Sequence, residues 1–358
     1  MTNSKINVLV VDDSTVARRL LVHLLESDPR TRVAGAVTDG QEAVDFVTAN
    51  PPDAVLMDIH MPRLDGFEAT RRIMENQPVP IIICTATTDP KAVATTFQLL
   101  EAGAVACVEK PVTRDHPDFD RLAENLLQTV ALMSEVKVVR RWPKSRLVPS
   151  PGHSTESFWA PARLRCVGIG ASTGGPPVLQ HILANLPKDF PAPILVVQHI
   201  ARGFLPGMVE WLNQTSGLPV QIAAHGVSPL SGHVYLAPDD FQMSVSVGGR
   251  IILARNEPEN GIRPAVSCLF RSLAETCGAN AVGVLLSGMG KDGAAELKVM
   301  KDRGATTIAQ DRESSVVHGM PGEAIELGGV TLIRPADKIA DTLIKLVHGT
   351  RIGERKFQ

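Results

Sequence analysis

The sequence predicts an α/β protein of two doubly wound domains, each a parallel sheet with helices on both faces. Three observations carry this. Short apolar runs alternate along the chain with segments of helical spacing. The alternation stops once, in a basic, proline-containing stretch at residues 134–165. In both halves the polar residues able to do chemistry fall just after apolar runs, and the carboxyl ends of parallel strands are where such sheets place their sites.

The bulk properties agree. A chain of 358 residues is about two domains long. With 44% hydrophobic and 21% charged residues and a net charge of -2, it has ordinary globular composition and no field that would draw nucleic acid. No apolar run approaches the roughly 20 residues of a transmembrane helix, so no membrane insertion is expected. The polar start, Met1 to Lys5, leads straight into a strand, so no signal peptide and a cytoplasmic location are expected. Cys84, Cys107, Cys166, Cys268 and Cys277 are scattered, with no CxxC pair, and are expected to be reduced thiols.

In residues 1–133 the expected strands are Ile6–Val11, Val33–Val37, Ala54–Met57, Pro80–Cys84 and Val105–Val108. Leu20, Leu21, Leu24 and Leu25 mark one of the helices between them. Asp12 and Asp13 follow the first strand, Asp58 ends the third, Thr85 the fourth and Lys110-Pro111 the fifth. Each alone reads as a solvated loop residue. Together, three carboxylates suit a hard divalent cation such as Mg²⁺, and a lysine and a hydroxyl beside them suit a phosphoryl group.

These positions, with Met57-Asp58-Ile59-His60-Met61-Pro62-Arg63-Leu64-Asp65-Gly66, resemble the response-regulator receiver domain across the whole segment, a flavodoxin-like sheet. The resemblance implies that Asp58 accepts a phosphoryl group from a CheA-type histidine kinase. It implies Mg²⁺ held by Asp12, Asp13, Asp58 and the backbone carbonyl of His60, with Thr85 and Lys110 contacting the phosphoryl oxygens. One position departs: Cys107 stands where receivers often carry an aromatic switch residue.

Residues 134–165 hold Pro143, Pro149, Pro151, Gly152 and Pro161, with seven Lys/Arg against two Asp/Glu. That is a basic linker. Trp142, Phe158 and Trp159 within it suit either a segment that docks on a domain surface or a tether with incidental aromatics.

The alternation resumes over residues 166–358. Expected strands are Cys166–Ile169, Ile194–Val197, Val220–Ala223, Val234–Leu236, Ile251–Leu253, Val282–Leu286, Thr306–Ala309 and Val330–Ile333. Met243–Val247 and Arg250–Ala254, across Gly248-Gly249, read as an antiparallel edge hairpin of a Rossmann-like sheet. Gly170-Ala171-Ser172-Thr173-Gly174 fits G-x-S-x-G, a tight strand-to-helix turn leading into a helical segment over Val178–Leu186. Its serine is either a helix N-cap or a nucleophile. Ser172, His199 after the next strand, and Asp292 in Ser287-Gly288-Met289-Gly290-Lys291-Asp292-Gly293 bring a serine, a histidine and a carboxylate to one sheet edge. That is the composition of a nucleophile, a base and an orienting acid. The other histidines considered, His181, His225, His233 and His318, show no metal-ligand spacing. Tyr235 lacks the lysine four residues on that a short-chain dehydrogenase needs, and the order Ser, His, Asp is not that of an α/β-hydrolase.

Gly168–Pro176, Gln198-His199, Gly232–Pro238, Ser287–Gly293 and Ala309–Pro321 resemble the catalytic domain of the chemotaxis protein-glutamate methylesterase family, CheB, over nearly the whole segment. The resemblance implies Ser172 as nucleophile, His199 as base and Asp292 as orienting acid, with Thr173 and Met289 lining the site. No cofactor is implied for the ester chemistry. The substrates implied are γ-glutamyl methyl esters of chemoreceptors, and family members often also deamidate receptor glutamines. The resemblance also implies that the unphosphorylated receiver holds the catalytic domain in check. Departures from the family pattern are Asp239-Asp240-Phe241-Gln242, Pro264-Ala265-Val266-Ser267 in place of Pro-Ser-Val-Asp, and Phe204-Leu205 in place of Phe-Thr. Two functions are weighed: a phosphorylation-gated methylesterase, and a non-enzymatic adaptor that binds chemoreceptors.

Overall fold

The computed structural model describes residues 5–85, 97, 99–100, 102–111, 116–136, 138, 164–259 and 261–347. The chain divides into two compact units, Met1–Val148 and Pro149–Gln358. Trp142, Phe158 and Trp159 of the expected linker, and most of the segment between Thr85 and Cys107, lie outside the described residues.

In the first unit, strands β1 (Ile6–Val11), β2 (Thr31–Val37), β3 (Ala54–Met57), β4 (Ile81–Thr85) and β5 (Ala106–Glu109) form a parallel sheet in the order β2-β1-β3-β4-β5. Val8–Val11, Val55–Met57 and Ile81–Ile83 are fully buried. Such continuous apolar runs are what a parallel strand covered on both faces requires. The covering helices start where polar caps allow. Ser14 Oγ accepts from Ala17 N ahead of helix Thr15–Ser27, Asp39 caps Gly40–Ala49, and Asp65 caps Gly66–Asn76. Leu21, Leu24 and Leu25 are the buried stripe of the first helix. The strand order changes direction between β1 and β3, so the residues after both flank the switch point.

The second unit holds β6 (Cys166–Ala171), β7 (Ile194–Gln198), β8 (Val220–Ile222), β9 (Val234–Leu236), β10 (Gln242–Val245), β11 (Ile251–Ala254), β12 (Ala281–Leu285), β13 (Thr306–Gln310) and β14 (Leu332–Arg334). Seven of them form a parallel sheet in the order β14-β13-β12-β6-β7-β9-β8. The helix after β6 begins at Gly175, three residues before the expected Val178, because Gly174 turns the chain at φ 76° and Pro176-Pro177 suit a first helical turn.

The hairpin forms, but as its own two-stranded sheet and not as an edge of the large one. Its free ladder groups are taken elsewhere. Val245 N donates to Ser272 Oγ of helix Val266–Thr276 at 3.0 Å, and Ile251 exchanges backbone bonds with the 226–227 turn. Met243 and Val245 are buried in the same core as Leu269, Phe270 and Leu273 of that helix. No helix among the described residues is long and apolar enough to cross a membrane.

Candidate active site

In the large sheet the first strand in sequence, β6, lies between β7 on one side and β12 on the other, so the switch point is at β6. Ser172 follows β6, His199 follows β7 and Asp292 lies in the loop after β12. Backbone bonds carry the ladder past the strand ends. His199 N donates to Ala171 O at 2.9 Å, Leu286 N to Gly170 O at 2.9 Å, and Ser172 N to Ser287 O at 3.0 Å. The three loops therefore rise together from adjacent strands. A Cβ at Gly288 would stand 2.8 Å from Ser172 Cβ, so only glycine lets the β12 loop lie this close to the serine.

His199 Nε2 lies 2.9 Å from Asp292 Oδ2. That carboxylate is buried and also accepts Val266 N at 2.6 Å and Ser267 N at 3.1 Å, the first N–H groups of helix Val266–Thr276. Ala265 offers that helix no side-chain cap, and Asp292 fills the place from another element. Burial pushes the Asp292 carboxyl up. The hydrogen bond and charge of His199, then bonds from Ser267 and Val266, outweigh it and hold the carboxyl below its ordinary value. Ser172 Oγ takes no hydrogen-bond partner among the described residues, an arrangement common where catalytic bonds tighten only on substrate. Thr173 O accepts from Ser287 Oγ at 2.8 Å, and the Met289 side chain is 43% exposed beside the serine loop.

Several supporting groups escaped the sequence reading. Gln198 Nε2 donates to both Ser172 O and His199 O at 2.9 Å, tying the two loops. Gln310 Oε1 accepts Ser287 N at 2.8 Å. A glutamine closing a buried strand, after Val196-Val197 in one case and Ile308-Ala309 in the other, is the signal that marks both. The departures at residues 239–242 are local ties. Asp239 Oδ2 accepts Gly203 N at 2.9 Å, Asp240 pairs with Arg202, and Gln242 Oε1 accepts Ala265 N at 2.8 Å. Phe204 and Leu205 are buried. His181 and His225 are exposed, and His225 and His233 bond to backbone carbonyls. All five cysteines are free, and burial drives the Cys84, Cys107 and Cys166 thiols up.

In the first unit Asp12, Asp13 and Asp58 each bring a carboxylate oxygen within 4.8 Å of the others. Three hard oxygen donors at that spacing fit a divalent cation. Lys110 Nζ lies 2.8 Å from Asp12 and 3.0 Å from Asp58. Burial pushes the Asp58 carboxyl up, Lys110 offsets part of this, Asp12 adds to it, and the net shift is upward. Burial would lower the Lys110 ammonium pKa, but Asp12 and Asp58 raise it further. Thr85 is buried at the end of β4, and its carbonyl accepts Lys110 N at 2.8 Å. His60 is exposed two residues after Asp58.

Comparison with known proteins agrees with both halves. Residues 167–343 match the family model of the CheB methylesterase, and residues 8–118 match that of the response regulator receiver domain. A curated protein-glutamate methylesterase/protein-glutamine glutaminase of Nitrosospira multiformis is 52% identical over 96% of this chain and 97% of its own.

The chain belongs to the CheB methylesterase family.

A second relative of the same name from Geobacter metallireducens is also 52% identical, over 95% of this chain and 99% of its own. Among solved structures, the CheB methylesterase catalytic domain of Thermotoga maritima aligns at 42% identity and a TM-score of 0.50, over 52% of this chain and 100% of that one. The chain is thus a hydrolase of the CheB family with an N-terminal receiver domain.

Proposed function

We propose that this CheB-family enzyme hydrolyses γ-glutamyl methyl esters of chemoreceptors, with Ser172 as nucleophile, His199 as base and Asp292 as orienting acid, under control of phosphorylation at Asp58. The supporting observation is the bond of His199 Nε2 to Asp292 Oδ2, made between the segments that follow β7 and β12, the two strands flanking β6 and Ser172. With Nε2–H donated to Asp292, the lone pair of the neutral ring is on Nδ1. Nδ1 is then the atom that takes the Ser172 proton as Oγ attacks the ester carbonyl carbon. The oxyanion falls to the backbone N–H groups of Thr173 and Met289, neither of which has an acceptor among the described residues. The C–O bond breaks, His199 Nδ1 protonates the leaving methoxide, and methanol departs from the acyl-enzyme. Water then gives its proton to Nδ1, attacks the acyl carbon and releases the glutamate carboxyl, and Ser172 Oγ recovers its proton from His199. A glutamine side chain enters the same steps with ammonia as leaving group, in line with the relatives' second name.

In the receiver, residues 1–133 of the proposed layout, Asp58 takes the phosphoryl group from a CheA-type histidine kinase through one carboxylate oxygen. Asp12, Asp13 and Asp58 would hold Mg²⁺, with the His60 carbonyl as a further ligand by resemblance. Bound there, the cation would supply positive charge opposite the phosphoryl oxygens. Lys110 and Thr85 supply the remaining contacts. The unphosphorylated receiver restrains the catalytic domain, residues 166–358, across the 134–165 linker. Phosphorylation shifts the population toward the unrestrained form.

Methanol release by the full-length chain from a chemoreceptor cytoplasmic domain carrying glutamate methyl esters tests this. A small phosphodonor with Mg²⁺ should accelerate release by the wild type and leave Asp58→Asn unchanged. Receptor binding with no methanol would point instead to the adaptor role.

A further inference from the structure

Asp292 is gripped twice through one residue. Ser267 is buried in the first turn of helix Val266–Thr276, and its N–H donates to Asp292 Oδ1 at 3.1 Å. Its Oγ accepts the N–H of Gly293, the residue after Asp292, at 3.0 Å, and donates to Glu296 Oε2 at 2.7 Å. The turn that carries the carboxylate and the helix start that holds it are therefore tied through one hydroxyl. Glu296 is itself pinned by Arg271, which also forks onto Glu259.

The chemistry of the two Oγ bonds differs. Gly293 N–H needs an acceptor, and the Glu296 carboxylate needs a donor. A hydroxyl supplies both at once, whereas an ionised carboxylate only accepts. The aspartate of the family's Pro-Ser-Val-Asp run would hold Gly293 but would set two carboxylates against each other at Glu296.

We propose that Ser267, paired with Glu296, is a positioning residue for Asp292: it fixes the Asp292–Gly293 turn against the helix start so that the carboxylate meets His199 Nε2. This rests on Asp292 acting as the orienting acid. Ser267 touches no reacting atom, and its influence passes through Asp292 to His199. A residue acting this way lowers kcat with little change in KM, and its effect disappears once Asp292 can no longer orient the ring.

The test is a double-mutant cycle on the full-length chain, read as kcat and KM for methanol release from a methylated chemoreceptor cytoplasmic domain. Ser267→Ala should lower kcat about tenfold, the scale of one lost hydrogen bond to a charged network, with KM within about twofold. In the Asp292→Asn background the same substitution should change kcat by less than about twofold, the signature of residues acting as a unit. An equal loss in both backgrounds, or no loss in the wild type, overturns the proposal. Should Ser267→Ala fail to fold, Glu296→Ala, whose side chain is nearer the surface, is read by the same comparison. If Asp292→Asn by itself keeps the wild-type kcat, the assignment of the orienting acid falls, and the proposal falls with it for a separately recognisable reason.

Discussion

His199 presents Nε2, not Nδ1, to Asp292, at 2.9 Å from Oδ2. The carboxylate meets the imidazole on one side and the start of helix Val266–Thr276 on the other. A hydrogen bond to an ionised carboxylate makes Nε2 the protonated nitrogen and leaves Nδ1 basic. The ring orientation of His199, the proposed base, thus depends on an acid that is itself held by backbone N–H groups.

Asp292→Asn replaces that acid with an amide whose NH₂ can face the ring and stabilise the wrong tautomer. The expected result is a kcat about 10³- to 10⁴-fold lower, with KM little changed. Steady-state methanol release measures it.

The same carboxylate links stability to pH. Burial raises its pKa, but the His199, Ser267 and Val266 interactions more than offset this, and the folded value lies below the unfolded one. A depressed carboxyl contributes stability that is present above its unfolded pKa of about 4 and is lost as pH falls through the folded value. Urea unfolding should show Asp292→Asn less stable than wild type at pH 6, with the gap closing below pH ~4. A gap that stays constant down to pH 2 would contradict the assignment.

The close approach of the β12 loop predicts a steric effect. Gly288→Ala puts its methyl 2.8 Å from Ser172 Cβ and against Met320 Sδ. Overpacking of this kind costs about 1–3 kcal/mol. Thermal unfolding should show that loss, and kcat should fall more than the stability change alone explains, because Ser172 must shift.

In the receiver, Asp58 shows the opposite linkage. Its folded pKa is raised, chiefly by burial and also by Asp12, with Lys110 only partly offsetting them. Ionising it therefore costs stability as pH rises from about 4 through the folded value. Asp58→Asn should stabilise the first unit at pH 7 and lose that advantage below pH ~4. Amide exchange in β1 and β3 measures this. Millimolar Mg²⁺ should stabilise the wild-type receiver by about 1.4 kcal/mol at tenfold the dissociation constant. Asp13→Asn should weaken this response, and a chelator should reverse it.

The strands were legible because buried parallel strands must be apolar runs, as in Val8–Val11 and Ile194–Val197, and most of their ends shift by only one or two residues. Asp12, Asp58, Ser172 and His199 were legible as candidates because each is polar where such a run stops. Asp292 was harder, since a loop separates it from the end of β12. The separate pairing of β10 and β11 was not legible, because a side chain remote in sequence, Ser272, takes the Val245 N–H. Nor were the Val266 and Ser267 N–H groups that hold Asp292, because backbone donors leave no mark in composition and Ala265 is not a capping residue. Gln198 and Gln310 were visible as letters, but their ties between loops exist only in three dimensions.

The proposed mechanism turns on Ser172 as the nucleophile, and Ser172→Ala in the full-length chain removes the attacking oxygen alone. Methanol release from a methylated chemoreceptor domain should fall at least about 10³-fold, while circular dichroism and the unfolding transition stay those of the wild type. A folded Ser172→Ala protein that releases methanol at near the wild-type rate would contradict the account.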